Sequence, residues 1–178
     1  MKMDASLIES LIDEYGTELF RFCRKLTYSE HDAEELYQDT FLKAMDLNDR
    51  IDVNNNPKSY LLSIAVSLWN NKKRKYARRN RIAPTESFDM EESHQIASDD
   101  STPEEALLKK ELYLTLNKCI DALDEKMRVP ILLFYSSQLS VEKIAQIIDV
   151  PAGTVKSRLH KARALIKEQM EVYGIDGF

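Results

Sequence analysis

Apolar side chains recur at helical spacing along most of the chain. Leu7, Leu11, Leu19 and Phe22 line one face of a helix expected from about Ala5 to Thr27. Leu36, Thr40, Phe41 and Ala44 do the same for Glu30 to Leu47, and Leu61, Ile64, Ala65 and Leu68 for Pro57 to Arg79. Three such stripes can close one small core. Between the second and third helices, Asn56-Pro57 ends a polar loop and suits an N-cap followed by the first helical position. Periodicity then stops. From 82 to 103 the chain is rich in Ser, Thr and carboxylates with Pro near both ends, which predicts a flexible tether.

A second helical lobe is expected over 104–173. It opens with a helix through Leu107, Leu112, Leu116 and Ile120, followed by an apolar helix around Pro130 to Tyr135. Ser140 is placed to cap a short helix that turns Ile144, Ala145, Ile147 and Ile148 inward. Asp149-Val-Pro-Ala-Gly153 then breaks the chain before a last helix. With only 4 Gly and 5 Pro among 178 residues, the expected fold is all-α, with two small helical domains, 5–81 and 104–173, joined by the acidic linker.

Composition removes several classes of function. The longest apolar runs, such as Val129 to Tyr135, are too short to span a bilayer, and the first residues lack a signal-peptide pattern, so a cytoplasmic protein is expected. Cys23 and Cys119 stand far apart with no Cys or His at metal-ligand spacing, which favours buried, reduced thiols. His31, His94 and His160 are scattered and no Gly-rich loop precedes a helix. No enzyme, metal or cofactor is expected.

The net charge of −5 conceals a segregated distribution. Lys72 to Arg81, KKRKYARRNR, holds many bases and no acid, whereas Glu86 to Glu105 holds many acids and neither Lys nor Arg. The basic run continues a helix that also carries Trp69 and Tyr76. Lys72, Lys73, Arg74, Arg78 and Arg79 can hold phosphates while an aromatic stacks on an unstacked base. Trp69 is read as core, and Tyr76 as either core or base contact.

A short helix, a tight turn and a second helix with a mixed apolar and basic surface form a helix-turn-helix pattern. In Thr154 to Arg163, Val155, Leu159 and Ala162, with Ile166 beyond, make a packing stripe. Thr154, Ser157, Arg158 and Lys161 fall on another face, with Lys156 and Arg163 supplying further cations. Such donors suit base edges and phosphates, although an ordinary solvated face has the same composition. The helix DAEELYQDTFLKAM is opposite in character. Its Glu35, Gln38 and Asp39 can serve solubility or dock a basic partner surface.

Taken together, these segments resemble the extracytoplasmic-function group of bacterial sigma factors over about Leu11 to Gln169. GTVKSRLHKAR, Gly153 to Arg163, is similar to the family's helix for the minus-thirty-five promoter element. The resemblance implies that Glu35, Gln38 and Asp39 contact the clamp helices of bacterial core RNA polymerase. It implies that Asn54, Asn55 and Asn56 lie in the loop that captures a flipped base of the minus-ten element, beside the helix Pro57 to Arg79 that holds that element. Asn is also an ordinary turn former there. An anti-sigma factor covering the polymerase and DNA faces is implied as well. The sequence departs from the family pattern at Ser67 and Asn71, where Asn and Asp are common, and at Leu123-Asp124, where Leu-Pro is common.

Two rival readings stay open from the residues. A dimeric helix-turn-helix repressor explains Gly153 to Arg163 but gives no role to the acidic helix or the basic helix end. A helical scaffold would bind DNA weakly and without regard to sequence.

Overall fold

The structure is a computed structural model and describes residues 5–27, 29–47, 56–82 and 103–175. Seven α-helices follow one another in these residues: α1 (Ala5–Leu26), α2 (Glu30–Asp46), α3 (Pro57–Ile82), α4 (Pro103–Asp121), α5 (Glu125–Ile131), α6 (Val141–Ile148) and α7 (Ala152–Val172). A π-helical turn, Leu132–Ser136, continues α5. No strand occurs among the described residues. The all-α expectation stands, with helix ends within a few residues of those predicted. The expected tether, 83–102 in particular, lies outside the described residues.

Ser140, the cap expected from the sequence, accepts the Lys143 backbone N–H at 3.3 Å to open α6, and Ser29 accepts that of Asp32 at 3.1 Å to open α2. Asn56 lies in the left-handed region, φ 60°, and its Oδ1 accepts the Ser59 N–H at 3.0 Å, with Pro57 in the first helical position. Asp124 caps α5 by accepting the Lys126 N–H at 2.9 Å. Asp149, φ 51°, closes α6 in a left-handed C-cap that turns the chain toward α7.

Within α1–α3 the predicted stripes meet. Leu11, Leu19, Phe22, Leu36, Phe41, Ala44, Leu61, Ile64 and Ala65 are all buried, and Trp69 joins them at 3% exposure, as expected of a core residue. Leu7 is only half-buried, and Ile8 takes its place inside. Gly16 permits close approach of α2. A Cβ there would come within 2.8 Å of the Tyr37 hydroxyl, whose ring is held edge-on by Phe20 and Phe41 at centroid distances of 5.5 and 5.1 Å. Cys23 and Cys119 are buried free thiols, and burial pushes the Cys23 pKa up to about 12, which makes it unreactive.

The two sets of helices also meet, and one buried apolar cluster runs from Leu11 through Trp69 to Leu132, Ile144 and Ala162. α3 packs on α6, and α1 on the π-helical turn. The physical reason lies at the end of α1. Its last carbonyl, Leu26, receives the Arg128 guanidinium of α5 at 2.9 Å, completing a helix terminus that α1–α3 leave open. Arg128 is only 1% exposed and also lies 3.9 Å from Asp121. Lys25 Nζ to Ser136 Oγ, 3.2 Å, and a Lys73–Glu125 ion pair flank this bond across the same junction.

Removing the guanidinium leaves buried polar groups without their strongest partner. Arg128→Met is expected to lower unfolding free energy by about 2–3 kcal/mol and to increase the radius of gyration. Denaturant titration and small-angle scattering check both, and unchanged values in the two measurements would refute the junction described here.

Candidate nucleic-acid interface

α7 buries one apolar stripe and turns a polar side to solvent. Val155, Leu159 and Ala162 are 0%, 2% and 0% exposed, with Ile166 half-buried on the same line. Because successive residues turn by about 100°, that burial fixes the outward direction of the rest. Lys156, Ser157, Lys161 and Arg163 are exposed, whereas Thr154 and Arg158 are half-buried at the flanks. His160, absent from the expected contacts, is also exposed. It shares a line with Lys156, Arg163 and Lys167, and its i+4 spacing from Lys156 was the available signal.

A Cβ on Gly153 would meet nothing within 4 Å, so packing does not require glycine there. The residue lies at the start of a helix whose first N–H groups point outward, where a backbone phosphate could come near. Arg163 is differently placed from the other cations. Its Nε–H donates to Tyr135 Oη at 2.8 Å and its guanidinium lies 5.6 and 5.7 Å from the Phe134 and Tyr135 ring centroids.

On α3 the basic run is divided by its neighbours. Arg74, Lys75 and Arg78 are exposed and Tyr76 is half-buried. Lys72 instead reaches across to α2, with Nζ 2.5 Å from Asp32 Oδ1 and 2.7 Å from Glu35 Oε2. Lys73 pairs with Glu125 of α5. These two cations are committed within the fold, which residue type and spacing could not reveal because their partners lie about 40 and 50 residues away. Asn54, Asn55 and the Arg79 side chain lie outside the described residues. Asn56 Oδ1 is engaged in the α3 cap, which leaves its amide N–H groups for any ligand.

The network around Lys72 shifts both partners. For Asp32, burial alone would raise the pKa, but hydrogen bonds from Lys72 and Ser29 outweigh it and hold the carboxyl below its ordinary value. For Lys72, burial would lower the pKa, but Asp32 and Glu35 outweigh it and hold the ammonium above its ordinary value. The pair therefore favours its charged form and staples α2 to α3.

The acidic face of α2 is solvent-facing. Glu35, Gln38 and Asp39 are exposed, Glu35 partly engaged by Lys72. Leu42 and Met45, 60% and 45% exposed, continue the line of Gln38 along the helix. Sequence reading passed over these two, although i+4 and i+7 spacing from Gln38 places them beside the polar residues. An acid and amide face with apolar side chains can hold a partner both by charge and by burial. Among the described residues no cluster of three metal-binding side chains occurs, and no helix is long and apolar enough to cross a membrane.

Comparison with known proteins follows the same division of the chain. Residues 11–79 match the family described as Sigma-70 region 2, and residues 113–166 match Sigma-70, region 4. The chain is 31% identical to the ECF RNA polymerase sigma factor SigW of Bacillus subtilis over 173 residues, covering 95% of this chain and 91% of that one. It is 31% identical to the ECF RNA polymerase sigma-E factor of Escherichia coli K12 over 142 residues, 79% of this chain and 74% of the other. Among solved structures it is similar to the sigma factor RpoE of Bartonella quintana, crystallised with the anti-sigma factor NepR. There the TM-score is 0.77 at 25% identity, covering 95% and 99% of the two chains. CnrH, solved with the cytosolic domain of CnrY, shares the fold at TM-score 0.65 and 17% identity, covering 95% and 90%.

Asp32→Asn is expected to destabilise the fold by about 1.5–3 kcal/mol at neutral pH, the range for a charged hydrogen bond. Since the Asp32 pKa is depressed in the folded state, its contribution is complete above about pH 4 and disappears as pH falls through the folded value. The gap between wild type and variant should close in acid. The Lys72 contribution has the opposite sense and is lost only as pH rises through its elevated folded value. Denaturation at pH 3 and pH 7 checks this; an equal gap at both would show that the ionised pair is not the source.

Proposed function

The chain belongs to the ECF RNA polymerase sigma factors of the sigma-70 family, and from that membership we propose that it directs bacterial core RNA polymerase to promoters and helps open the DNA there. The observation that carries this reading is the partition of α7, whose apolar stripe is buried while Lys156, Ser157, His160 and Lys161 face solvent together. That helix enters the major groove at the minus-thirty-five element, with Thr154, Arg158 and Arg163 at its flanks.

In this reading residues 5–81 form the unit that binds polymerase and the minus-ten element, 82–103 the linker, and 104–173 the unit for the minus-thirty-five element. Gln38, Asp39, Leu42 and Met45, with Glu35 at their edge, meet the polymerase. The exposed Arg74, Lys75 and Arg78, with Tyr76, hold the minus-ten strand, and Asn54, Asn55, Asn56 and Arg79 border the captured base. Lys72 and Lys73 act chiefly by fixing α3 against α2 and α5. The protein performs no chemistry itself; binding energy from the two units is spent on extracting and holding unstacked bases.

The two promoter elements lie about two turns of duplex apart, roughly 70 Å. Units in contact through Arg128 and Leu26 cannot occupy both, so promoter engagement on polymerase separates them. An anti-sigma factor that held them together would keep the protein silent. The similar RpoE of Bartonella quintana, solved in complex with the anti-sigma factor NepR, supports control by an anti-sigma factor.

Run-off transcription with purified core polymerase and a promoter library tests the reading. Specific transcripts are expected only when the protein is added. A failure to bind core, with tight duplex binding by the protein alone, would favour a conventional repressor. Within active holoenzyme, Lys161→Ala should weaken promoter binding and reduce the log–log salt slope by about 0.9. Gly153→Ala should leave stability unchanged or higher by up to about 1 kcal/mol while weakening minus-thirty-five binding. Gel-shift titrations across salt, with parallel denaturation, measure both effects; wild-type binding by each variant would move the reading helix elsewhere.

A further inference from the structure

The contact between Arg163 and the π-helical turn has a geometry that simple packing does not require. Arg163 is exposed on α7, in line with Lys156, His160 and Lys167. Its Nε–H donates to Tyr135 Oη at 2.8 Å, and the guanidinium carbon sits 5.6 Å from the Phe134 ring centroid and 5.7 Å from that of Tyr135. The two rings stand edge to face, 5.0 Å apart at 75°, so they form a corner rather than a flat wall. Tyr135 is 56% exposed. Burial of the ring is therefore not what holds it there.

The backbone explains how Tyr135 reaches this place. Pro130 lies inside α5 and has no N–H to give, and the chain continues as a π-helical turn, with the Ser137 N–H bonded to the Leu132 carbonyl at 3.2 Å. Leu132 and Leu133 go into the core while Phe134 and Tyr135 turn toward α7.

The chemistry of the pair selects one kind of ligand. The Tyr135 oxygen accepts from Arg163, so its own O–H is left to donate. The guanidinium, fixed through Nε and held against two ring faces, keeps its outer N–H groups for a second acceptor. A phenolic O–H and a guanidinium edge side by side form a donor pair with positive charge and no acceptor facing the ligand. That pair fits a phosphodiester oxygen better than a base edge, which also presents donors.

We propose that Tyr135, Phe134 and Arg163 form a clamp for a single backbone phosphate at the edge of the duplex that α7 reads. Tyr135 donates one hydrogen bond and positions the guanidinium that donates another. The clamp rests on the placement of α7 in the major groove. It assigns a DNA contact to the π-helical turn, outside the helix-turn-helix itself, and gives Arg163 a positioning role in register rather than in base choice.

The test uses holoenzyme made from core polymerase and the full chain, with a set of minus-thirty-five duplexes that each carry one neutral methylphosphonate. Wild type should lose about tenfold in affinity at one position, the worth of a charged hydrogen bond. Tyr135→Phe and Arg163→Ala should each bind the unmodified duplex several-fold more weakly, and neither should lose further at that same position. Arg163→Lys should recover the salt slope but not the full affinity, since an ammonium cannot use both the ring corner and the phosphate. Variants that retain wild-type affinity, or that lose as much as wild type at every modified position, overturn the clamp while leaving the α7 reading intact. Wild-type holoenzyme with no preference for the minus-thirty-five duplex overturns both. Unchanged circular dichroism melting of Tyr135→Phe shows that the loss is not one of folding.

Discussion

Much of this structure depends on satisfying one helix terminus. A helix ends with carbonyls that have no partner within it, and burying them without donors is costly. In α1 the last carbonyl belongs to Leu26 and is met by a guanidinium from more than a hundred residues further along the chain. Around that bond lie Lys25 with Ser136, Lys73 with Glu125, and apolar residues from both ends of the sequence. The bond is directional and the apolar contacts are not. The first fixes how the two halves meet, and the second supplies most of the attraction.

The same economy governs charge. A run of cations on α3 could be taken as one continuous phosphate-binding surface, yet its first two members are engaged by carboxylates from different helices. The outcome is graded. Lys72 and Lys73 near the core orient the helix, while Arg74, Lys75 and Arg78 further along stay exposed. Glu35 has a similar double duty, turning one oxygen toward Lys72 while its helix presents Gln38 and Asp39 outward. Surface cations gain specificity from neighbours that limit where they can point.

The fold was legible where local rules decide it. Helical periodicity placed the stripes around Leu36, Leu61 and Leu159, and the short-range bonding of Asn56 and Ser140 placed the starts of two helices. Asp124 was noticed as a departure from the family pattern, and its role as a cap follows from rules just as local. Long-range partners were not legible. Nothing near Arg128 in sequence announces that its guanidinium will be buried against α1, and nothing near Lys73 points to Glu125. Burial of Val155 and Leu159 determines what faces outward on α7, so the exposure of Lys156, Ser157 and Lys161 was legible, and His160 faces the same side. Leu42 and Met45 were missed for the reverse reason, since apolar residues were assumed to belong inside.

The closed junction also sets a thermodynamic scale for transcription. If only the separated form can span both promoter elements, apparent affinity is the intrinsic affinity reduced by the fraction of molecules that are open. Each 1.4 kcal/mol in the junction then changes that fraction about tenfold when the open form is rare. Substitutions at Arg128, Ser136 or Glu125 would thus alter promoter occupancy without touching DNA. Selection on the basal output of such a factor can act on a helix end buried far from any base pair.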